Sequence, residues 1–343
     1  MALDEQGTKT APHDVKFDAQ VEDRIRGLIF GAACGNSLGG ASVGLKYRDI
    51  SGFRSSGVTG VRDFSDGLAK SQVSEHKAGD LLADSLLGLA LADSLISTKG
   101  RFDASDFQRR VGTLLEDDYF LKSSPGATCL TGLRKLVDGA TPAEFGAEAL
   151  HANAAARVFA LGALPGGAKS DAALDVAAKQ AKLSNGDERA IAAAAVVADS
   201  ARYFVQGGKL ENSDAVRDYV RHEFAIAEKL DERFAESWDD VAPDLDYENP
   251  PDDLPYSLIN VESTVTELVP TAVGIFLIFR DSPEEAICAA ARAGGDTDTV
   301  ATIVGALAGA YHGASKLPER WVTKIAHKER LEEVTRQLAA LWK

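Results

Sequence analysis

The sequence predicts an all-α protein that folds as a single compact orthogonal helical domain. Aromatic residues make up 7% of the 343 residues and only 11 prolines occur, a balance that favours packed helices over a strand-rich sandwich. Apolar residues recur every three or four positions in one segment after another, which is the spacing of a helix face. No segment shows the alternation of a strand, and no repeat of fixed period occurs.

The predicted helices follow one another along the chain. In residues 21–39 the apolar positions Ile25, Leu28 and Ile29 lie at helical spacing. Residues 79–97 form a second strongly apolar helix, which Lys99 and Gly100 terminate. The remaining predicted helices span residues 107–115, 127–136, 142–151, 155–164, 172–181, 186–204, 213–230, 264–279, 283–293, 300–312 and 318–341.

Three segments lack this pattern. Residues 1–20 are polar and carry no apolar stretch typical of a secretory signal, so we expect a flexible N-terminal tail before one domain over residues 21–343. Residues 40–77 are rich in glycine, serine and charge, and connecting segments of this length are usually either functional or disordered. Residues 239–255 form an acidic loop that contains prolines.

Charge and composition narrow the classes of partner. A formal net charge of −15 repels phosphate backbones, so we expect no nucleic-acid backbone binding. No apolar run of about 18 residues predicts a membrane span. Cys34, Cys129 and Cys288 are odd in number and lack metal-binding spacing. They indicate buried thiols in a reducing compartment, and we therefore predict a cytoplasmic protein.

The most informative motif lies near the C-terminus, at the start of the predicted helix 300–312. Asp296, Thr297, Asp298 and Thr299 place two carboxylates and two hydroxyls in four residues. Hard cations take such oxygen ligands from a rigid element. The alternative is an ordinary helix cap, because Asp and Thr are favoured there. In the helix that follows, Gly305 and Gly309 lie four residues apart. This spacing predicts close packing against another helix.

Four segments together point to one family. Residues 26–39 read RGLIFGAACGNSLG, residues 124–128 read SPGAT, residues 153–158 read NAAARV, and residues 294–313 read GGDTDTVATIVGALAGAYHG. In order and spacing they resemble the ADP-ribosylglycohydrolase family, which contains dinitrogenase-reductase-activating glycohydrolase and the ADP-ribosylhydrolases. The closing segment is the most specific of the four.

The resemblance implies a mostly helical domain that cleaves the bond between C1″ of ADP-ribose and an acceptor atom, on a protein side chain or a small molecule. Family members usually hold two magnesium ions between a T-D-D-T segment and the D-T-D-T segment. Their glycine-rich loop and helix N-termini hold the pyrophosphate. For this chain the implied ADP-ribose-binding residues are Ser124, Gly126, Thr128, Asn153, Asn185 and Asn36.

The chain departs from the family pattern at the metal ligands. Leu82 and Ala83 stand where the family has Thr and Asp, and Asp84 is retained. Asn36 replaces an Asp of the opening motif, and Asn185 stands where many members carry His. Two neighbouring divalent ions need several carboxylates to neutralise them. The ligand set that remains suits one ion better than two: Asp84, Asp296, Asp298 and Thr299.

We consider three hypotheses for this altered site. The favoured one is cleavage of ADP-ribose linkages, by hydrolysis or elimination, with little or no need for magnesium. Asp296 and Asp298 would then act with Glu75, His76 and Lys77, where Lys77 supplies positive charge and Glu75 or His76 moves the proton. An ordinary solvated loop is the alternative for these three residues.

The second hypothesis is a hydrolase that uses a single magnesium ion. The third is a catalytically inactive module that binds ADP-ribose or a partner protein, since fold alone does not establish activity. His151 and His312 are interpreted as structural.

Overall fold

The computed structural model describes residues 15–50, 61–123, 125–139, 149–165, 170–239 and 254–343. Within these ranges the regular elements are helices, accompanied by isolated β-bridges between His151 and Thr264 and between Val261 and Gly295. The predicted all-α class is therefore confirmed. The α-helices are α1 (Ala19–Gly40), α2 (Ala83–Ser97), α3 (Ala104–Leu115), α4 (Asp118–Lys122), α5 (Ala127–Val137), α6 (Asn153–Ala156), α7 (Ser170–Lys182), α8 (Glu188–Val205), α9 (Ser213–Leu230), α10 (Glu232–Asp239), α11 (Val265–Ile278), α12 (Pro283–Ala291), α13 (Thr297–His312), α14 (Glu319–Lys324) and α15 (Lys328–Ala340).

Short polar side chains fix where several of these helices begin. Asp18 accepts hydrogen bonds from the backbone N–H groups of Gln20 and Val21, each at 2.9 Å, and so starts α1. Asn212 caps α9 in the same way, and Ser282 caps α12. Each cap satisfies N–H groups that have no partner inside the helix.

Some predicted elements differ from the observed ones. The predicted helix 155–164 is a short α6 followed by a 3-10 helix over Arg157–Ala163. The predicted helix 318–341 is divided into α14 and α15, because Ile325 is extended and His327 has a φ of 57°. Most of the predicted helix 142–151, most of the acidic loop and residues 1–14 of the tail lie outside the described residues.

The centre of the fold is a very close crossing of α1 and α13. A Cβ atom built on Gly31 would lie 2.0 Å from the carbonyl oxygen of Gly305, and one built on Gly27 would lie 2.0 Å from that of Gly309. No real side chain tolerates such distances, so the two backbones touch directly. The predicted role of Gly305 and Gly309 in close helix packing is confirmed.

The three cysteines are free and buried, as the sequence predicts. Burial raises the pKa of the Cys129 and Cys288 thiols to about 12 in each case, so both remain protonated and unreactive at neutral pH. Among the described residues, no helix is both long and apolar enough to cross a bilayer.

The crossing gives a matched pair of stability tests. We expect Gly305→Ala to lower the free energy of unfolding by about 3 kcal/mol, because the added methyl group must push α1 away from α13. Gly112→Ala in α3 is the control, since its Cβ would meet only Val137 at 3.7 Å. There the better helix propensity of alanine should raise stability by about 1 kcal/mol. Urea denaturation measures both, and equal effects of the two substitutions would contradict this account of the packing.

Candidate active site

One cavity of about 550 Å³ opens where the N-terminal ends of α2, α5 and α13 converge. This volume lies within the range of small-molecule and cofactor sites. Two further segments, residues 43–46 and 260–263, complete its wall. The lining residues are Val43, Gly44, Leu45, Lys46, Gln72, Ala83, Asp84, Pro125, Gly126, Ala127, Thr128, Cys129, His151, Asn153, Asn260, Val261, Glu262, Ser263, Gly295, Asp296, Asp298 and Thr299.

Backbone hydrogen bonds hold the loop before α13 from two sides. The Gly295 N–H donates to the carbonyl of Leu45 at 2.8 Å, and the Asp296 N–H donates to that of Val261 at 2.9 Å. Gly294 and Gly295 have φ values of +84° and +81°, which L side chains rarely adopt. A Cβ on Gly295 would also lie 2.0 Å from the Val261 oxygen. The two glycines therefore allow the turn that directs Asp296 into the cavity.

All four predicted metal-binding residues line this cavity. The Thr299 hydroxyl oxygen lies 2.7 Å from Oδ2 of Asp84 and 2.8 Å from Oδ1 of Asp296. Asn153 donates a hydrogen bond of 2.9 Å to the other oxygen of Asp84. Asp296 stands at the N-cap position of α13, yet its side chain makes no capping hydrogen bond. Capping hydrogen bonds therefore do not account for the Asp296 side chain.

The surroundings of this cluster disfavour the charged forms of Asp84 and Asp298. Burial, together with the charge of Asp296, raises the pKa of Asp84 to about 6, although hydrogen bonds from Asn153 and Thr299 oppose the shift. Burial and the charges of Asp296 and Asp84 raise the pKa of Asp298 well above its usual range. Oδ1 of Asp298 is buried and has no hydrogen-bond partner. Such an oxygen is the kind of group that a cation satisfies.

By ligand type, the donor set suits one hard cation. Three carboxylates and one hydroxyl line the same cavity, and oxygen ligands of this kind are those that Mg²⁺ prefers. On the side where a second ion would need oxygen ligands, Ala83 presents a methyl group to the cavity, and Leu82 packs with Val43 and Val73. Neither side chain can coordinate a metal ion, so the residues present do not suit a two-ion centre.

The structure places Glu75, His76 and Lys77 away from the cavity lining. Nε2 of the buried His76 lies 3.0 Å from the carbonyl oxygen of Ser37. The exposed Lys77 forms an ion pair with Asp66 at 3.1 Å, and Glu75 is exposed. The partners of His76 and Lys77, which are Ser37 and Asp66, do not line the cavity. His76 and Lys77 nevertheless belong to the loop 40–77 that the sequence predicts to be important.

Of the predicted ADP-ribose-binding residues, Gly126, Thr128 and Asn153 line the cavity. Asn36 and Asn185 are buried beside it. Oδ1 of Asn36 accepts a hydrogen bond of 2.6 Å from the Leu82 N–H and so fixes the start of α2. Asn185 donates to the carbonyl oxygen of His151 at 2.9 Å. Ser124 lies outside the described residues.

Sequence reasoning missed several residues of the cavity wall. Lys46 and Gln72 belong to the long loop 40–77, whose length alone was the signal. His151, interpreted from sequence as structural, lines the cavity, and its Nε2 is buried without a hydrogen-bond partner. No spacing in the sequence marks Lys46, Gln72 and His151, because they converge only through tertiary contacts. For Glu262 the sequence leaves two roles open, a cap of the following helix or a place facing the cleft; it lines the cavity and is exposed.

Comparison with known proteins decides the family. The model of the ADP-ribosylglycohydrolase family matches residues 18–343. The chain belongs to this family. An uncharacterized protein of Archaeoglobus fulgidus is 26% identical over 331 residues, which cover 94% of this chain and 97% of that protein. The Escherichia coli protein YegU is 23% identical over 312 residues, with coverage of 86% and 89% respectively.

Relatives with a named activity match locally. The human ADP-ribosylhydrolase ARH3 is 42% identical over 65 residues, which cover 16% of this chain and 18% of that protein. Among solved structures, an ADP-ribosylglycohydrolase-related protein complex superposes with a TM-score of 0.69 at 22% identity, covering 94% of this chain and 99% of that one. This second likeness establishes the fold.

The raised pKa of Asp298 can be tested by measuring stability at two pH values. The raised pKa of Asp298 means that the native state disfavours its charged form, so this group reduces stability as pH rises above its ordinary range near 4. In chelator at pH 8, we expect Asp298→Asn to raise the free energy of unfolding by about 1 kcal/mol or more, with a smaller gain at pH 4.

Asp187→Asn serves as the opposite control. Arg189 lowers the pKa of Asp187 through a hydrogen bond of 2.9 Å, so this substitution should reduce stability at pH 8. Chemical denaturation at the two pH values measures both variants. An Asp298→Asn variant less stable than the parent at pH 8 would contradict the electrostatic account.

Proposed function

We propose that this protein hydrolyses the C1″ linkage of ADP-ribose attached to a protein side chain or a small molecule, and that one magnesium ion assists the reaction. The observation that carries the proposal is the convergence of Asp84, Asp296, Asp298 and Thr299 in one cavity, with a buried Asp298 oxygen that lacks a partner. Membership of the ADP-ribosylglycohydrolase family supports the reaction class.

The single-ion form is preferred over metal-independent cleavage for a structural reason. In the metal-independent hypothesis Lys77 supplies positive charge at the ribose, but its ammonium group is exposed and paired with Asp66. Magnesium bound by the four oxygen-bearing residues would supply that charge and order the ribose hydroxyls and water.

The chain itself provides the groups that hold the substrate. Gly126 stands at the N-cap of α5 without a side-chain cap, and the first turn of α5 carries no acidic residue. The backbone N–H groups in the first turn of α5 therefore remain available to the pyrophosphate. Lys46 lines the cavity, and its positive charge would add an attraction for the same phosphates. These contacts would orient C1″ towards the carboxylate cluster.

Hydrolysis forms a bond from water oxygen to C1″, breaks the bond from C1″ to the acceptor atom, and transfers a proton from the water to the acceptor. A carboxylate outside the cation-binding set can carry that proton. Glu262 is the lining carboxylate that meets this condition among the described residues, and its exposure lets it exchange protons with bulk water. We assign it this role.

The metal requirement is tested by turnover. Arginine-linked, serine-linked and small-molecule ADP-ribose substrates are incubated with the protein in magnesium and in chelator. We expect release of ADP-ribose from at least one of them in magnesium, and a loss of about 100-fold or more in chelator or in Asp296→Ala. Lys77→Ala should keep the parental rate.

Unchanged turnover in chelator would overturn the magnesium assignment and support metal-independent cleavage. Binding of ADP-ribose without any turnover would overturn the proposed activity and support an inactive binding module.

The proton-transfer assignment has its own matched pair. We expect Glu262→Gln to lower kcat by about 100-fold or more, because the amide cannot carry a proton, with little change in the affinity for ADP-ribose. Glu75→Gln removes an equally exposed carboxylate that does not line the cavity, and it should leave kcat unchanged. Steady-state kinetics and ADP-ribose titration measure both. The reverse ranking of the two variants would return the role to loop 40–77.

A further inference from the structure

A second cluster of ligating side chains lies between α8 and α9, outside the lining of the cavity. Asp199 belongs to α8, and His222 and Glu223 are neighbours on α9. One ligand atom from each of the three residues lies within 4.8 Å of the other two. Nitrogen and oxygen atoms from three side chains therefore face one point between two helices.

Glu223 is the part of this cluster that the fold alone does not explain. Its side chain is fully buried, and neither carboxylate oxygen has a hydrogen-bond partner. Leaving such a group unsatisfied in the interior is unfavourable, so native proteins give it a partner. The hydroxyl of Tyr219, which lies one turn earlier on α9, donates to Ser200 at 2.8 Å. Burial raises the pKa of Glu223 well above its usual range, although the nearby hydroxyl of Ser200 lowers it. A cation at the centre of the cluster would satisfy the Glu223 oxygens.

The distances between Asp199 and its neighbours suit coordination. Oδ2 of Asp199 lies 2.9 Å from Nε2 of His222. Adjacent ligand atoms around a metal ion with bonds of about 2.0–2.2 Å are separated by about 3 Å. Arg202 contacts the other oxygen, Oδ1, at 2.8 Å. The ion pair between Arg202 and Asp199 can therefore persist while Oδ2 of Asp199 exchanges its hydrogen bond with the imidazole for a bond to a metal ion.

We propose that Asp199, His222 and Glu223 form a binding site for a divalent transition-metal ion of the Zn²⁺ class. An imidazole ligand selects against Mg²⁺ and Ca²⁺, which prefer oxygen ligands, and favours zinc and its neighbours. The side chain of His222 is 26% exposed, which gives the ion a route from solvent. The positive charge of the Arg202 guanidinium repels the ion, but the combined negative charge of the Asp199 and Glu223 carboxylates is larger. The ion would link α8 to α9.

The site is tested on the full chain without an affinity tag, using Co²⁺ and Zn²⁺ as probes. Cobalt bound through nitrogen and oxygen shows visible absorption bands, and zinc should displace it. In the Asp296→Ala variant, which lacks the cavity site, we expect one cobalt per chain with such bands, and a rise in the melting temperature with zinc. Glu223→Gln and His222→Ala should each weaken binding at least about tenfold and reduce the rise in melting temperature.

Two variants separate this site from the other histidines and from the cavity. His327→Ala removes an exposed histidine and should leave metal binding unchanged. Asp296→Ala disables the carboxylate cluster in the cavity and should also leave the cobalt bands unchanged, whatever its effect on ADP-ribose turnover. Absence of the bands, bands that survive in Glu223→Gln, or bands that disappear in Asp296→Ala would each overturn the proposal.

Discussion

Direct backbone contact between α1 and α13 is the constraint on which the rest of the structure depends. It continues to the ends of both helices, where the Thr297 hydroxyl donates to the carbonyl oxygen of Gly39 at 2.8 Å. The start of α13 is therefore fixed against the end of α1, and Asp298 and Thr299 are carried with it into the cavity. Neither helix could tilt or slide without moving these ligands, so packing at the centre of the domain sets the geometry of its site.

Much of this could be predicted from the sequence, and the remainder could not for definite physical reasons. Helical periodicity identified α1, α8, α9 and α13, and the cluster from Asp296 to Thr299 was recognisable because its ligands are adjacent in the chain. Glu75, His76 and Lys77 were chosen for their chemistry within a long loop that has no periodicity. The path of such a loop is decided by distant contacts, which here direct Lys46 and Gln72 to the cavity instead.

Within the described ranges, buried acids without partners occur at two separate places. Asp298 in the cavity and Glu223 between α8 and α9 each have carboxylate oxygens that no protein group satisfies. Both lower the stability of the ligand-free chain, since a buried carboxylate loses its hydration. Proteins commonly retain such unfavourable groups where binding requires them. If the two proposed sites bind their ions, each acid contributes affinity for the ion and lowers the stability of the ion-free chain.

The hydrogen bonds that join Leu45, Val261 and Gly295 have a consequence for biosynthesis. These residues are separated by more than 200 positions on one side and by 34 on the other, so the wall of the cavity exists only when both ends of the domain are present. A nascent chain still attached to the ribosome cannot form the cleft until α13 has emerged. Any product of early termination or proteolysis before this point would lack the segment that completes the wall of the cavity.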